Sequence, residues 1–401
     1  MSVAATDDGK LATLDQIALT PIVRTVLNDH TAEIVRWRSA PIIQGRASPA
    51  GVHRISGIAQ VQDDAVPWSL VLKELHAAAQ SAYAGNHASD DPTSAWYWKR
   101  ELLLYQSGLF DALPAGFAAP HPYQIDEQPL AGRIWMEDVR EDVGAVWPLD
   151  HYGHVARHLG RFNGIYLAER SLPPWPWLLT RYLHSGLQKS EWPAFAAHYP
   201  ALRQTSSLVR RGWSDDLFAA FARIWQERAW FLQILEALPQ TLMHNDAGRK
   251  NLIARRRPNG DFETVVVDWG QAAIGALGEE LAVLVSQPVY WLHGVRPEDL
   301  AELDTIVFNT YVQGLRDVGW QGDPALARLG YTVSLALRSG FGIFIFEWAA
   351  RDENTRTFIE TAIGHPIEAT VDAMRGLRSY IVACAEEARH LMAAPRVQRY
   401  L

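Results

Sequence analysis

His244-Asn245-Asp246-Ala247-Gly248-Arg249-Lys250-Asn251, followed further on by Val265-Val266-Val267-Asp268-Trp269-Gly270, decides the reading of this chain. Asp246 is a carboxylate in a glycine-containing loop that follows a helical stretch. Asn251 comes five residues later, where Leu252-Ile253-Ala254 begins as a strand. Pro258-Asn259-Gly260-Asp261 is a strong turn signal, and the returning strand from Thr264 ends at Asp268. A hairpin brings its two open ends together, so Asn251 and Asp268 are expected side by side. Two oxygen ligands placed in this way suit magnesium, which takes few protein ligands and completes its shell with phosphates and water. Asp246 is expected beside them, where it receives or orients an attacking hydroxyl.

The surrounding chain sets bounds on this reading. Its 401 residues exceed the usual size of one compact core, so two lobes are expected. Hydrophobic residues make up 48% and charged residues 20%, a balance that suits a buried core and excludes a disordered chain. The formal net charge of −8 argues against nonspecific nucleic-acid binding, which needs a basic face. Met1 to Lys10 is polar, without the basic start and apolar run of a signal peptide, and no apolar stretch reaches membrane-spanning length. No membrane partner is therefore expected, and the cytoplasm is the expected location. The one cysteine, Cys384, lies in an apolar run and reads as a buried small residue.

Upstream of the motif the pattern is first helical, from Leu11 to about Trp37 with Pro21 as a break. It then becomes strand-like. Pro41-Ile42-Ile43 leads through a turn containing Gly45 and Gly51 into Val52–Gln62. Trp68 to Lys73 forms a third strand, with Trp68, Leu70 and Leu72 on one face and Ser69, Val71 and Lys73 on the other. A helix is expected over Trp96–Leu109, with Ser94 as its cap, and two strands near Pro122–Ile125 and Arg133–Met136. Beyond Asp138 the texture is helical: Tyr152–Ala168, then Asp215–Leu238 capped by Ser214 and ended by Pro239. The expected architecture is α+β, with a small five-stranded antiparallel N-lobe over residues 1–137 and a larger, mainly helical C-lobe over residues 138–401.

The constellation His-x-Asp, an Asn five residues after that Asp, and a strand ending in a second Asp resembles the aminoglycoside phosphotransferase and choline kinase-like family, relatives of the protein kinases. The resemblance continues in Ile274-Gly275-Ala276-Leu277-Gly278-Glu279-Glu280-Leu281-Ala282, in Phe308-Asn309-Thr310-Tyr311 and in the connector Trp135-Met136-Glu137-Asp138-Val139. It implies a bilobal protein-kinase-like fold, ATP and Mg2+ as cofactors, and a small-molecule hydroxyl as acceptor. By carry-over, Asp246 is the catalytic carboxylate, and Asn251 and Asp268 hold magnesium. Lys73 contacts the α and β phosphates and is held by Glu101. Backbone groups near Glu137 and Val139 bind the adenine edge, and Gly45 and Gly51 flank a phosphate-facing turn. His244 braces the loop.

Some positions depart from the kinase pattern. The Gly45–Gly51 turn is not the three-glycine loop of protein kinases. Two residues after Asp246, where those enzymes place a lysine, stands Gly248; Arg249 or Lys250 is left to offset phosphate charge. No activation segment follows Asp268, which disfavours a protein kinase. Arg255-Arg256-Arg257 reads as a solvated hairpin tip. Glu347, Asp352 and Glu353 read as helix-surface charges, with an acidic substrate wall as the other reading. Trp175, Trp177, Trp291 and Trp348 read as core packing, with substrate stacking as the other reading. The acceptor stays open among sugars, polyols, amino alcohols and antibiotics, and the chain is expected to act as a monomer or homodimer. The alternative function is a nucleotide-binding regulatory module that has lost catalysis.

Overall fold

The computed structural model describes residues 14–42, 51–77, 88–341 and 346–398. Contacts divide the chain into two units: Met1–Ala88 with Pro120–Val139, and Ser89–Ala119 with Arg140–Leu401. The single boundary expected between residues 137 and 138 is not the division observed. In the structure, Ser89–Ala119 groups instead with the larger unit.

The first unit is an antiparallel sheet of five strands. Their spatial order is Glu33–Pro41, Gly51–Val61, Asp64–His76, Ala131–Glu137 and Pro122–Gln128. The alternation read in Asp64–His76 is present: Trp68, Leu70 and Leu72 are buried on one face. Against that face lies a helix, Gln16–Leu27, whose Leu19, Ile22 and Val23 recur at helical spacing. The Asp15 carboxylate caps its start by accepting from the N–H of Ala18.

The expected helix does not run to Trp37. The helix stops at Asn28, whose left-handed backbone (φ 51°) lets its N–H reach the carbonyls of Arg24 and Thr25. Asp29 then turns the chain by accepting from the N–H and hydroxyl of Thr31, and Glu33–Pro41 is an edge strand. Ile34 fitted the helical period by chance. A register shift between Ile34 and Arg36 breaks the two-residue alternation that would have marked the strand.

The second unit is mainly helical. Its longest helices are Leu149–Ala168, Asp215–Ala237, Leu300–Asp317 and Ile367–Ala393. Ser214 caps Asp215–Ala237 as read, accepting from the N–H of Leu217. The helix expected over Trp96–Leu109 is shorter, Arg100–Gln106. The Ser94 hydroxyl accepts from the N–H of Trp96 within a turn, so the preceding residues are not helical. Helices Leu149–Ala168 and Leu300–Asp317 cross at glycines: a Cβ on Gly160 would stand 2.2 Å from the carbonyl oxygen of Tyr311. Cys384 is buried, and burial pushes its thiol up to about 12. Among the described residues no helix is long and apolar enough to cross a membrane.

Two small sheets in this unit position the motif. Gln240–Met243 pairs antiparallel with Ala273–Ala276, Met243 facing Ala273. That pairing clamps both ends of the segment between them. Inside the segment, Leu252–Arg256 and Phe262–Val266 form the hairpin read from the sequence. The result is a hairpin within a closed loop, whose two connecting arms carry Asp246 and Asp268.

Candidate active site

The two arms meet at the open end of the hairpin. The N–H of Val267 donates to the carbonyl of Asn251 at 2.9 Å, which puts Asp268 one residue past Asn251's partner. Asn251 Nδ2 donates both to the carbonyl of Asp246 (2.9 Å) and to its Oδ2 (2.8 Å). One amide therefore fixes the backbone and the carboxylate of the same residue. Asp268 takes the left-handed backbone conformation (φ 63°), a turn that ends the strand abruptly. Trp269 follows it into the core, its Nε1 donating to the carbonyl of Val266. His244 packs edge-on against that ring, with centroids 4.8 Å apart.

The hydrogen bonds of His244 settle its tautomer. Nδ1 faces the N–H of Asp246 at 3.3 Å and so must accept. Nε2 faces the carbonyl of Val267 at 3.0 Å and so must donate. The ring thus ties the Asp246 arm to the Asp268 arm through both of its nitrogens.

Burial raises the Asp246 carboxyl from its ordinary range to about 6. The nearby charge of Asp268 raises it too, while the Arg338 guanidinium and hydrogen bonds from Asn251 and Gln287 lower it. Gln287 is close because residue 248 is glycine: a Cβ there would lie 1.6 Å from Gln287 Oε1. Gln287 Nε2 stands 3.4 Å from Asp246 Oδ1. The departure noted at Gly248 thus has a steric cause, since the space of a side chain is already filled.

The loop is anchored from beneath by buried polar groups. Glu280 accepts from the backbone N–H of Asn245 (2.8 Å) and from that of His244. Its other oxygen accepts from Asn163 Nδ2, and Asn163 Oδ1 accepts from the Tyr311 hydroxyl at 2.8 Å. Burial outweighs these donors and raises the Glu280 carboxyl to about 7. Asn245 adopts a left-handed backbone (φ 64°). Arg338 holds it there by donating to its carbonyl and to its side-chain oxygen. Arg338 sits in a single π-helical turn, Leu335–Ser339, a local widening that often accompanies functional sites.

The residues expected to meet nucleotide fall on both units. In the first, Lys73 is buried on the strand Asp64–His76, on the face opposite Leu72, and Gly51 opens the strand Gly51–Val61. Gly45 lies outside the described residues. Glu137 ends its strand with its N–H donated to the carbonyl of His121, so an adenine contact there would have to use its carbonyl. Val139 closes the unit. In the second unit, Glu101 is buried on the helix Arg100–Gln106.

Beside Glu101, Arg100 is wholly buried and donates to five backbone carbonyls: Trp177, Ala95, Gly270, Pro92 and Ser94. It fastens this helix to the loop that follows Asp268.

Arg249 and Glu347 depart from expectation. Arg249 is buried and donates to the carbonyls of Leu252 and Gly144, pairs with Glu141, and stacks on Trp147. It braces the loop and does not face outward to meet phosphate. Lys250 is exposed and lies over the Trp291 ring. The arginine triplet is a solvated tip as expected, with Arg256 and Arg257 exposed, and Arg255 and Arg257 also pair with the buried Glu263. Glu347 is neither surface charge nor substrate wall: its side chain is fully buried against Arg378. Asp352 caps the helix Glu353–Ile363. Trp175 and Trp177 stack on each other, 4.9 Å apart and half-buried.

Gln287, Arg338, Glu280, Asn163 and Arg100 were not assigned to the site from sequence. Two signals were present: a glycine where kinases carry a lysine, and the acidic pair Glu279-Glu280 just before a helix.

Sheet, helical unit and carboxylate loop together follow the plan of protein-kinase-like phosphotransferases. The chain belongs to the phosphotransferase enzyme family, whose model matches residues 114–317, just over half of its length. Solved structures agree on the fold. An amicoumacin kinase in complex with AMP-PNP, Ca2+ and Ami is 13% identical, with a TM-score of 0.50, covering 92% of this chain and 94% of its own. A choline kinase from Cryptosporidium parvum Iowa II is 12% identical, with a TM-score of 0.53, covering 96% and 99%. No curated protein matches the chain in sequence.

Proposed function

We propose that this protein transfers the γ-phosphoryl group of ATP, with magnesium, to a hydroxyl group of a small molecule. The observation that carries the reading is the double hydrogen bond from Asn251 to Asp246 at the open end of a hairpin that runs into Asp268. Family membership supports the same class of reaction.

In this reading Asp246 orients the acceptor hydroxyl and takes its proton as the new bond forms. Its raised carboxyl suits proton acceptance better than an ordinary surface aspartate would. His244, Glu280 and Arg338 hold the loop, so that in-line positioning is prepared before substrate arrives.

The donor set fits magnesium. Asn251 commits its nitrogen to Asp246, which leaves its oxygen for a cation, and Asp268 adds a carboxylate. Among the described residues no cluster of three or more His, Cys, Asp or Glu side chains could enclose a metal, so phosphates and water would complete the shell. A bound ion would neutralise charge on the transferring phosphates. Lys73 is assigned to the α and β phosphates with Glu101 as the residue that holds it, and backbone groups near Glu137 and Val139 to adenine. Nothing favours the inactive-module reading, since Asp246, Asn251 and Asp268 are all present.

The test is a screen of hydroxyl compounds with ATP and magnesium, read as ADP release together with a new phosphate-ester signal in 31P NMR. Phosphate-ester formation that disappears in Asp246→Ala supports the proposal. ADP release with only free phosphate, unchanged in Asp246→Ala, contradicts it.

A further inference from the structure

We propose that the acceptor carries an anionic group, a carboxylate or a phosphate, and that Lys250 receives it beside Trp291. The inference rests on the phosphotransferase reading and names the chemical class of its substrate.

The two oxygens of Asp246 face different neighbours. Oδ2 is held by Asn251, on the side assigned to magnesium. Oδ1 is met by Gln287, on the helix Leu281–Tyr290. A hydroxyl that reaches Asp246 away from the metal side therefore arrives along this helix. The residue that follows the helix is Trp291, and the Lys250 ammonium lies 4.6 Å from the centre of its ring.

Two cations, Lys250 and Arg338, lie around this approach, beside the carboxylates of Asp246 and Asp268. Lys250 is exposed, and the carboxylate whose charge acts on its ammonium is Asp246. Arg338 also acts on Asp246 with its positive charge. His293, close enough to Lys250 and Arg249 to feel both charges, has a buried Nδ1 with no hydrogen-bond partner. Burial first, and then those two cations, hold its ring neutral. The wall thus offers an ammonium, an indole ring and an imidazole. An amino-alcohol acceptor would set a second cation against Lys250, whereas an acid would pair with it. A charge-assisted contact of this kind is worth roughly 10- to 100-fold in affinity. The indole beside it suits the carbon skeleton of the same molecule.

The test uses the full chain with ADP and magnesium and two matched series. One is gluconate, glucose 6-phosphate, glucose and glucosamine; the other is glycerate, glycerol 3-phosphate, glycerol and serinol. Binding is read by thermal shift and calorimetry in wild type, Lys250→Met and Lys250→Arg. The expected result is that an acid binds best in at least one series. Lys250→Met then weakens that acid 10- to 100-fold and leaves its neutral counterpart unchanged, and Lys250→Arg restores most of the loss. The carboxylate and phosphate members of each series separate the two anions.

The proposal is overturned if an amino member binds best, if acids bind no better than neutral members in both series, or if Lys250→Met weakens every member alike. Lys250-dependent acid binding without phosphate transfer from ATP would keep the anion site at Lys250 but remove the phosphotransferase reading, and with it the ligand's role as acceptor. Transfer to amino or neutral members alone would do the reverse.

Discussion

Arg100 and Gly270 are 170 positions apart, yet Arg100 Nη1 donates to the Gly270 carbonyl at 2.7 Å. Gly270 lies two residues beyond Asp268, so a buried guanidinium on one helix fixes the loop that presents the proposed metal carboxylate. Burial lowers this arginine to about 10, still charged at neutral pH. Its partners are main-chain carbonyls of separate segments, and a shorter side chain could not span them.

Arg100→Met is expected to lose about 3 kcal/mol of stability, because several carbonyls lose a charged donor at once. The half-saturating magnesium concentration should also rise roughly tenfold, the equivalent of one charge-assisted bond. Arg100→Lys, with three donors, should recover part of both. A variant that loses stability while magnesium dependence stays at the wild-type value would limit Arg100 to packing.

Gly248→Ala is expected to lower turnover by driving Gln287 away from Asp246, and to cost about 1–3 kcal/mol of overpacking strain. Gly248→Ala combined with Gln287→Ala removes the clash, so stability should return while turnover stays low. Chemical denaturation and steady-state kinetics on both proteins check this. Full activity in the single variant would show that the 1.6 Å approach is not needed.

Glu280 gives a pH signature to stability. Its folded carboxyl is raised to about 7 from an ordinary 4.5, so the native state holds a proton that the unfolded chain releases. Its contribution is complete below pH 4.5 and is lost as pH rises through about 7, on the order of 3 kcal/mol in all. Subtracting the unfolding free energy of Glu280→Gln from that of wild type at each pH isolates this slope. A flat difference across that window would contradict it.

Glu347 and Arg378 form two hydrogen bonds, 2.7 and 3.0 Å, with side chains almost wholly buried. Arg378→Met alone should cost about 3–5 kcal/mol, because it strands a carboxylate. Adding Glu347→Leu should return much of that. A double variant no more stable than the single one would mean the pair's desolvation cost is already met by its surroundings.

The sequence was most informative where structure is local. The hairpin from Asn251 to Asp268, the Ser214 cap and the buried face of Trp68, Leu70 and Leu72 each follow from short-range turn chemistry or periodicity. The helix reading past Leu27 failed because Ile34 suits either period and a register shift hides the strand. Glu280, Gln287, Arg338 and Arg100 were not legible, because their roles depend on partners tens of residues away or more. No spacing rule links Arg338 to Asn245, 93 residues earlier. Glu347 misled for the same reason: an acid on a short helix reads as surface until Arg378 is seen against it.

In the proposed reaction Asp246 acts on the acceptor while nucleotide and metal are held by other groups. Single-turnover transfer from magnesium-ATP, in wild type and Asp246→Asn, tests it most directly once an acceptor is known. The transfer rate should fall roughly 10²- to 10⁴-fold with nucleotide affinity unchanged. Transfer at the wild-type rate in Asp246→Asn would contradict it.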